Sequence, residues 1–326
     1  MRNKWMVGLC CALSASLALG QHSEDNEGLN ATPEGTDLNG QSGYYNPVNP
    51  GSVTAKVYTY TDNGLGFPAN PNGGDKFVGG TGPGGSVFVR SQKDITFGDG
   101  TGVWRVSFDI AAKFIGNLPA AQNLGSFSTQ TFPGDQTFIA LARWTDPNTA
   151  EKWNCDVVWF NNVNGQLTEI IPDANFQGLA VNHWYRESWT FDLDSHKFLE
   201  VSITDLSTGV THTYEPVDRY LYGGQNGAPA PDGFRYFAGS ANPAGNTLAF
   251  DNLVIEEVSE GPFCNYTLKK SKGKKCDSCP AKGSNVATEE VCEVVKDCTK
   301  KYKETIACPG GGDGKCKLKG KRTSCE

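Results

Sequence analysis

From Val53 onward, apolar residues recur at every second position, the period at which one face of a strand is buried and the other wetted. Trp104, Val106, Phe108 and Ile110 alternate with Arg105, Ser107 and Asp109. Trp189, Phe191 and Leu193 alternate with Thr190 and Asp192, and Leu199, Val201 and Ile203 alternate with Glu200, Ser202 and Thr204. Each stretch predicts a half-buried antiparallel strand. Val157-Val158-Trp159-Phe160 is a continuous apolar run, which predicts a strand covered on both faces, and Asn161 to Gly165 supplies the turn after it. Ser-Thr-Gly between Leu206 and Val210 predicts a hairpin loop leading into Thr211 to Tyr214. About ten such strands, with no amphipathic helix among them, predict an all-β fold of two packed antiparallel sheets over residues 51–258.

The two ends depart from this pattern. Arg2 and Lys4 precede a run of apolar and small residues from Met6 to Leu19, and Ala18-Leu19-Gly20 offers the small side chains of a cleavage site. Residues 1–20 therefore read as a signal peptide, and the mature chain is expected to be secreted or associated with a cell surface. Residues 21–50 are acidic and lack a period, which predicts a leader without fixed structure. No internal apolar run approaches the ~20 residues of a membrane-spanning helix. The 39 glycines among 326 residues favour turns.

Charge and cysteine place a boundary near Glu260. Residues 259–326 carry 15 Lys and Arg against 9 Asp and Glu, whereas residues 21–258 carry 12 against 27. Of the 11 cysteines, Cys10 and Cys11 fall in the signal and Cys155 stands alone, predicted as a small buried residue. The other eight are Cys264, Cys276, Cys279, Cys292, Cys298, Cys308, Cys316 and Cys325. Cys276-x-x-Cys279 with Cys292 and Cys298 also has zinc-ribbon spacing, but an oxidising exterior favours four disulfides. The sequence does not choose their pairing. Val291, Val294, Val295, Cys298 and Tyr302 share one face at helical spacing, which predicts a short helix between Thr288 and Lys303.

The succession Trp184-Tyr185, Trp189-Thr-Phe-Asp-Leu-Asp and Leu199-Glu-Val-Ser-Ile-Thr-Asp-Leu-Ser-Thr-Gly resembles the central hairpins of concanavalin A-like jelly rolls, a superfamily that includes legume lectins, laminin G-like modules and several glucanases. Phe250-Asp251-Asn252-Leu253-Val254-Ile255 is similar to the closing strand of such modules. The resemblance covers about residues 53–258 and implies a jelly-roll sandwich. The glucanases carry Glu-x-Asp-x-Glu on one strand face, and no such triplet occurs here; Asp192-Leu193-Asp194 is the nearest approach. Alginate-lyase relatives use an Arg-bearing strand with a Gln-x-His strand and a Tyr, of which only Arg186-Glu187-Ser188 resembles a fragment.

Candidate chemistry is therefore that of binding more than of catalysis. Sugar recognition needs aromatic faces for stacking and amide or carboxylate groups for hydroxyls. Trp144, Trp153, Tyr220 and Tyr222 lie in or beside predicted turns and are the stacking candidates, whereas Trp104, Trp159 and Trp189 follow strand alternation into the core. Asp251 and Asn252 are candidate ligands for a structural Ca²⁺; no other cofactor is implied. His183 reads as a hydrogen-bonded loop histidine. The glycine-rich segment from Gly64 to Gly85 reads as either a rim loop or a surface insertion. Lysine clusters at 269–275 and 315–322 suit an acidic polysaccharide, a cell surface or the chain's own acidic body, and the exported location argues against nucleic acid. The leading expectation is a secreted, non-catalytic, lectin-like carbohydrate-binding or adhesion protein. A polysaccharide hydrolase or lyase on the same fold is the first alternative, and a structural envelope or matrix protein the second.

Overall fold

The computed structural model describes residues 21–46, 52–115, 123–131, 137–145, 152–227, 230–240, 244–258, 263–274, 276, 279–291, 299–307 and 315–325. The predicted signal peptide lies outside them. The chain divides into two compact units, Met1–Val258 and Ser259–Glu326.

The first unit begins with β1 (Gln21–Glu24), β2 (Thr36–Asp37), β3 (Ser52–Val53), β4 (Lys56–Thr59), β5 (Lys76–Thr81) and β6 (Phe88–Asp94). It continues with β7 (Val103–Phe114), β8 (Asn123–Gln130), β9 (Phe138–Thr145), β10 (Lys152–Phe160), β11 (Gln166–Ile170) and β12 (Leu179–Ala180). The last five are β13 (Tyr185–Asp192), β14 (Lys197–Asp205), β15 (Val210–Tyr214), β16 (Gly233–Gly239) and β17 (Asn246–Val258). One sheet runs β15-β14-β13-β7-β17-β5-β4-β2, with β1 also on β17; the other runs β11-β10-β9-β8-β16-β6-β3, with β12 on β10. Pairing is antiparallel apart from β3 on β6.

Alternation explains the layers. Trp104, Val106, Phe108 and Ile110 of β7 are all buried in the main core. Phe108 packs edge-on against Trp144 and Trp189, with ring centroids 5.8 and 5.6 Å apart. Val157 to Phe160 are buried at every position, the both-faces burial that their unbroken apolar run predicts. The β14–β15 hairpin also forms, with Gly209 at φ 71 in its turn.

Three expectations need correction. Residues 21–46 are ordered: β1 pairs with Leu253–Glu256 of β17, and Leu29, Leu38 and Tyr44 join the main core. They show no period because each loop contributes a single anchor, not a strand face. Leu199 is exposed, because the β13–β14 register slips beside Phe191 and turns Phe198 inward in its place. The glycine-rich segment is neither a rim nor a bare insertion, since Leu65 and Phe67 pack with Phe77, Ala111 and Trp184 in a second buried cluster.

The second unit is one antiparallel sheet of β18 (Phe263–Lys274), β19 (Asn285–Val291), β20 (Lys301–Ala307) and β21 (Lys315–Cys325), in the order β19-β18-β21-β20. Both ends of the expected helix are strand, because Val286 and Val291 pair with Tyr266 and Phe263 of β18; residues 292–298 lie outside the described set. Backbone pairing with β18 at one end and with β21 at the other overrides the helical spacing. Cys279 and Cys316 form a disulfide, and Cys276 is also disulfide-bonded. The sulfurs of these three lie within 4.8 Å of one another, but disulfide sulfurs are not the thiolates that zinc needs. Cys264 stands opposite Cys325 in the β18–β21 register, while Cys292, Cys298 and Cys308 lie outside the described residues. Among the described residues, no helix is long and apolar enough to cross a membrane.

Candidate functional site

The predicted stacking residues do not assemble a platform. Trp144 and Trp153 sit at inward positions near the ends of β9 and β10, and both are fully buried. The Trp144 indole N–H donates to Glu187 Oε2 at 2.8 Å, and that of Trp153 to the Ala180 carbonyl at 2.9 Å. Tyr220 is buried where its backbone bridges Phe160 and Lys197. Tyr222 is half-buried, edge-on to Phe160 at 5.3 Å.

The carboxylates nearest to a catalytic reading lie in separate networks. Glu187 is enclosed in the core, where Trp144, Trp189 and Cys155 donate to it. Burial outweighs those hydrogen bonds and pushes its carboxyl up to about 7. Glu169 is held by Arg219 through two contacts of 2.7 and 2.9 Å and also accepts from Trp159 Nε1. Asp192 accepts from the Asp194 N–H and Ser195 Oγ in an exposed turn. Arg186 is committed to buried Asp109, its Nε and Nη2 donating at 2.7 and 3.1 Å.

A concavity lies elsewhere, between the 3₁₀ turn Ala174–Phe176 with its following residues and the outer strands β13, β14 and β15. It is open to solvent and offers about 270 Å³. Leu179, Ile203 and the Tyr185 ring supply its apolar wall, and Asn175, Gln177, Asp205 and His212 its polar groups. Asp205 closes β14, and its Oδ1 accepts from the Ser207 N–H, Ser207 Oγ and Thr208 N–H as the hairpin turns. His183 Nε2 lies 2.9 Å from the same oxygen, as expected of a hydrogen-bonded loop histidine. Partial burial opposes ionisation, but the hydrogen bonds from Ser207 and His183 prevail and hold the carboxyl at about 2. These contacts all fall on Oδ1. Asn175 uses its amide nitrogen on Asp173 and Gln177 uses its own on the Ile171 carbonyl, so each spends a donor and keeps its oxygen as an acceptor. Trp153 packs edge-on behind Tyr185, with centroids 5.6 Å apart, and fixes the wall.

None of the polar lining residues was a candidate in the sequence: Asp205 was not singled out, and the loop around Asn175 carries no periodic signal. The one available clue was the succession of Asp, Ser, Thr and Gly after an alternating strand, which marks a carboxylate at a hairpin mouth.

Asp251 and Asn252 lie where β17 changes neighbour, pairing with β5 up to Phe250 and with β1 from Leu253. A register shift and a left-handed Asn252 (φ 47) mark the change. Asp251 Oδ1 accepts from Asn26 Nδ2 and the Asn252 N–H, and Oδ2 from the Tyr60 hydroxyl and Asn70 Nδ2. Burial outweighs these four bonds and raises the carboxyl to about 6. Asn252 Nδ2 donates to Asp109 Oδ2 and to the Asn72 carbonyl. The groups facing these two carboxylates are thus chiefly donors, and a hard cation would have to displace several. Asn26 Oδ1 is the buried oxygen of this cluster without a hydrogen-bond partner.

No protein-family model matches the chain, and no curated protein matches it. Among solved structures the chain is similar to the cellulose induced protein Cip1, with 14% identity over 73% of this chain and 97% of that chain and a TM-score of 0.44. It is similar to the marine PL-14 alginate lyase from Aplysia kurodai, with 9% identity over 58% and 86% and a TM-score of 0.39. It is also similar to arcelin-5, a lectin-like defence protein from Phaseolus vulgaris, with 8% identity over 72% and 96% and a TM-score of 0.35.

Proposed function

We propose that the chain is an exported, non-catalytic carbohydrate-binding protein of the cell surface or extracellular matrix, and that the Asp205 cavity is its sugar site. The observation that carries this reading is the lining of that cavity: acceptor oxygens of Asp205, Asn175 and Gln177 and the His212 imidazole ring an apolar wall that includes Tyr185. Sugar hydroxyls donate to the first set while a C–H face lies on the second. The volume suits a single ring or a chain end. A carboxylate held ionised at about 2 does not serve as a proton donor near neutral pH, and Asp205 is the single carboxylate in the lining, so the paired-acid chemistry of glycosidases has no partner there.

Binding to a glycan panel, followed by calorimetry on the best ligand, tests the proposal. His212→Ala and Gln177→Ala are each expected to weaken binding about tenfold, since a lost hydrogen bond to a ligand costs roughly 1–1.5 kcal/mol. Absence of any glycan ligand, or binding indifferent to both substitutions, overturns it. New reducing ends or unsaturated products from a polysaccharide panel overturn the non-catalytic part. A structural Ca²⁺ at Asp251 is a separate proposal, which takes the partnerless Asn26 Oδ1 and the two buried carboxylates as its support. It predicts a rise in melting temperature on adding Ca²⁺ to chelator-treated protein, and an unchanged melt overturns it.

A further inference from the structure

One face of the second unit's sheet is a lattice of lysines. In β21 alternation turns Cys316 and Leu318 inward, and Lys315, Lys317, Lys319 and Lys321 are exposed. On one side β20 places Lys301 opposite Lys321 and Lys303 opposite Lys319. On the other side β18 places Lys270 opposite Lys319, Lys272 opposite Lys317 and Lys274 opposite Lys315. Residues opposite each other in a ladder share a face, so the three strands present their lysines together. Two of the β18 lysines, Lys272 and Lys274, reach this face through an irregularity: the register slips by one residue between Leu268 and Lys270, and without it Lys269 would take the place of Lys270 while Ser271 and Gly273 would be turned outward in place of Lys272 and Lys274.

The neutral residues opposite these lysines are Thr267 at Lys321, Thr305 at Lys317 and Ala307 at Lys315. Among the described residues none of these lysines forms an ion pair. Strand geometry sets the charges on a mesh of about 5 Å across strands and about 7 Å along them. Like charges placed opposite one another repel, so the free protein carries a concentrated positive field that a repeating anion would neutralise.

We infer that this lysine face binds a linear acidic polysaccharide, whose carboxylate or sulfate groups lie along the rows of ammonium groups. Among the described residues the face is an array of ammonium groups without an aromatic side chain, so these residues offer nucleobases nothing to stack on. The exposed large hydrophobic residues among those described all belong to the first unit, so the described residues of the second unit offer no apolar group to insert into a bilayer. A flat field of lysines, point charges without arginine's fork, suits an extended polymer read by charge density. The inference does not depend on the Asp205 cavity.

The full-length chain is titrated with heparin, polygalacturonate and neutral dextran at 50 and 200 mM NaCl. Both acidic polymers are expected to bind and dextran not, with affinity falling at least about tenfold across that salt range. Lys317→Gln/Lys319→Gln/Lys321→Gln is expected to lose at least about tenfold in affinity, with circular dichroism and the thiol count under non-reducing conditions unchanged. Arg105→Gln/Lys152→Gln/Lys282→Gln, which removes equal charge elsewhere, is expected to bind as the parent does. Equal loss in the two triple variants, or none in the first, overturns the inference. Binding of duplex DNA or of phosphatidylserine vesicles at least as tight as that of both polysaccharides overturns the choice of polymer.

Discussion

Glu187 stands on β13 between Tyr185 and Trp189, and strand parity turns all three toward the core. The alternation that identifies the strand therefore also announced a buried acid, although nothing local says what would face it. Two indole N–H groups from different strands do so, together with the Cys155 thiol, while Asp156 nearby is neutralised by Arg143 at 2.7 Å. Because the folded carboxyl is raised to about 7 from an ordinary 4.5, the native state holds its proton more tightly than the unfolded chain. Its contribution is full below pH 4.5, falls between pH 4.5 and 7, and does not fall further above that. Asp251, raised to about 6, acts in the same direction, so the comparison with a variant isolates Glu187. Glu187→Gln sets an amide N–H₂ against an indole donor and is expected to cost roughly 1–3 kcal/mol at pH 5. Parallel urea melts should show the difference from the parent shrinking as pH rises to 7.5; a constant difference would mean that Glu187 does not titrate in this range.

At the scale of strands, what the sequence made legible was alternation, and what it hid was each place where alternation breaks. The strand around Val106 keeps its period from Trp104 to Phe108 and is buried on both faces from there to Ala112, Asp109 included, whereas the strand around Val201 slips at Leu199, and one residue of slip exchanges inside for outside. Phe198→Ala is accordingly expected to destabilise by about 3–5 kcal/mol and Leu199→Ser by under about 0.5 kcal/mol, read from urea melts. The reverse ranking would restore the unbroken alternation. The same device in β18 gathers the lysines, where it works against stability. Lys319 faces Lys303 and Lys270 together, and each such pair costs roughly 0.2–1 kcal/mol. Lys319→Thr should therefore slow amide exchange in β18, β20 and β21 at low salt, with the gain fading at 1 M NaCl as charges are screened. Unchanged or faster exchange at low salt would show that the lysines do not strain the sheet.

For the molecule as a whole, the step in charge and cysteine near Glu260 coincides with the division of the chain into two compact units. The two are held by different means. Six tryptophans are sealed inside the first unit, whose cysteine among the described residues, Cys155, is free and buried. Among the described residues the second has a small core of Tyr266, Leu268, Cys276, Cys316 and Leu318, too little apolar surface to hold a lysine-rich sheet without staples. Opening a native disulfide in so small a unit removes about 2–5 kcal/mol, comparable with all the stability such a unit has. A reductant should therefore act on one unit alone. In calorimetry with and without dithiothreitol the main transition, from the sandwich, is expected at the same temperature. Hydrogen exchange under the same conditions should lose protection in 263–325 and keep it in β7, β13 and β17. Loss of protection in both regions together would mean that the sandwich draws its stability from the staples, and retention in both would mean that the lysine-bearing sheet needs none.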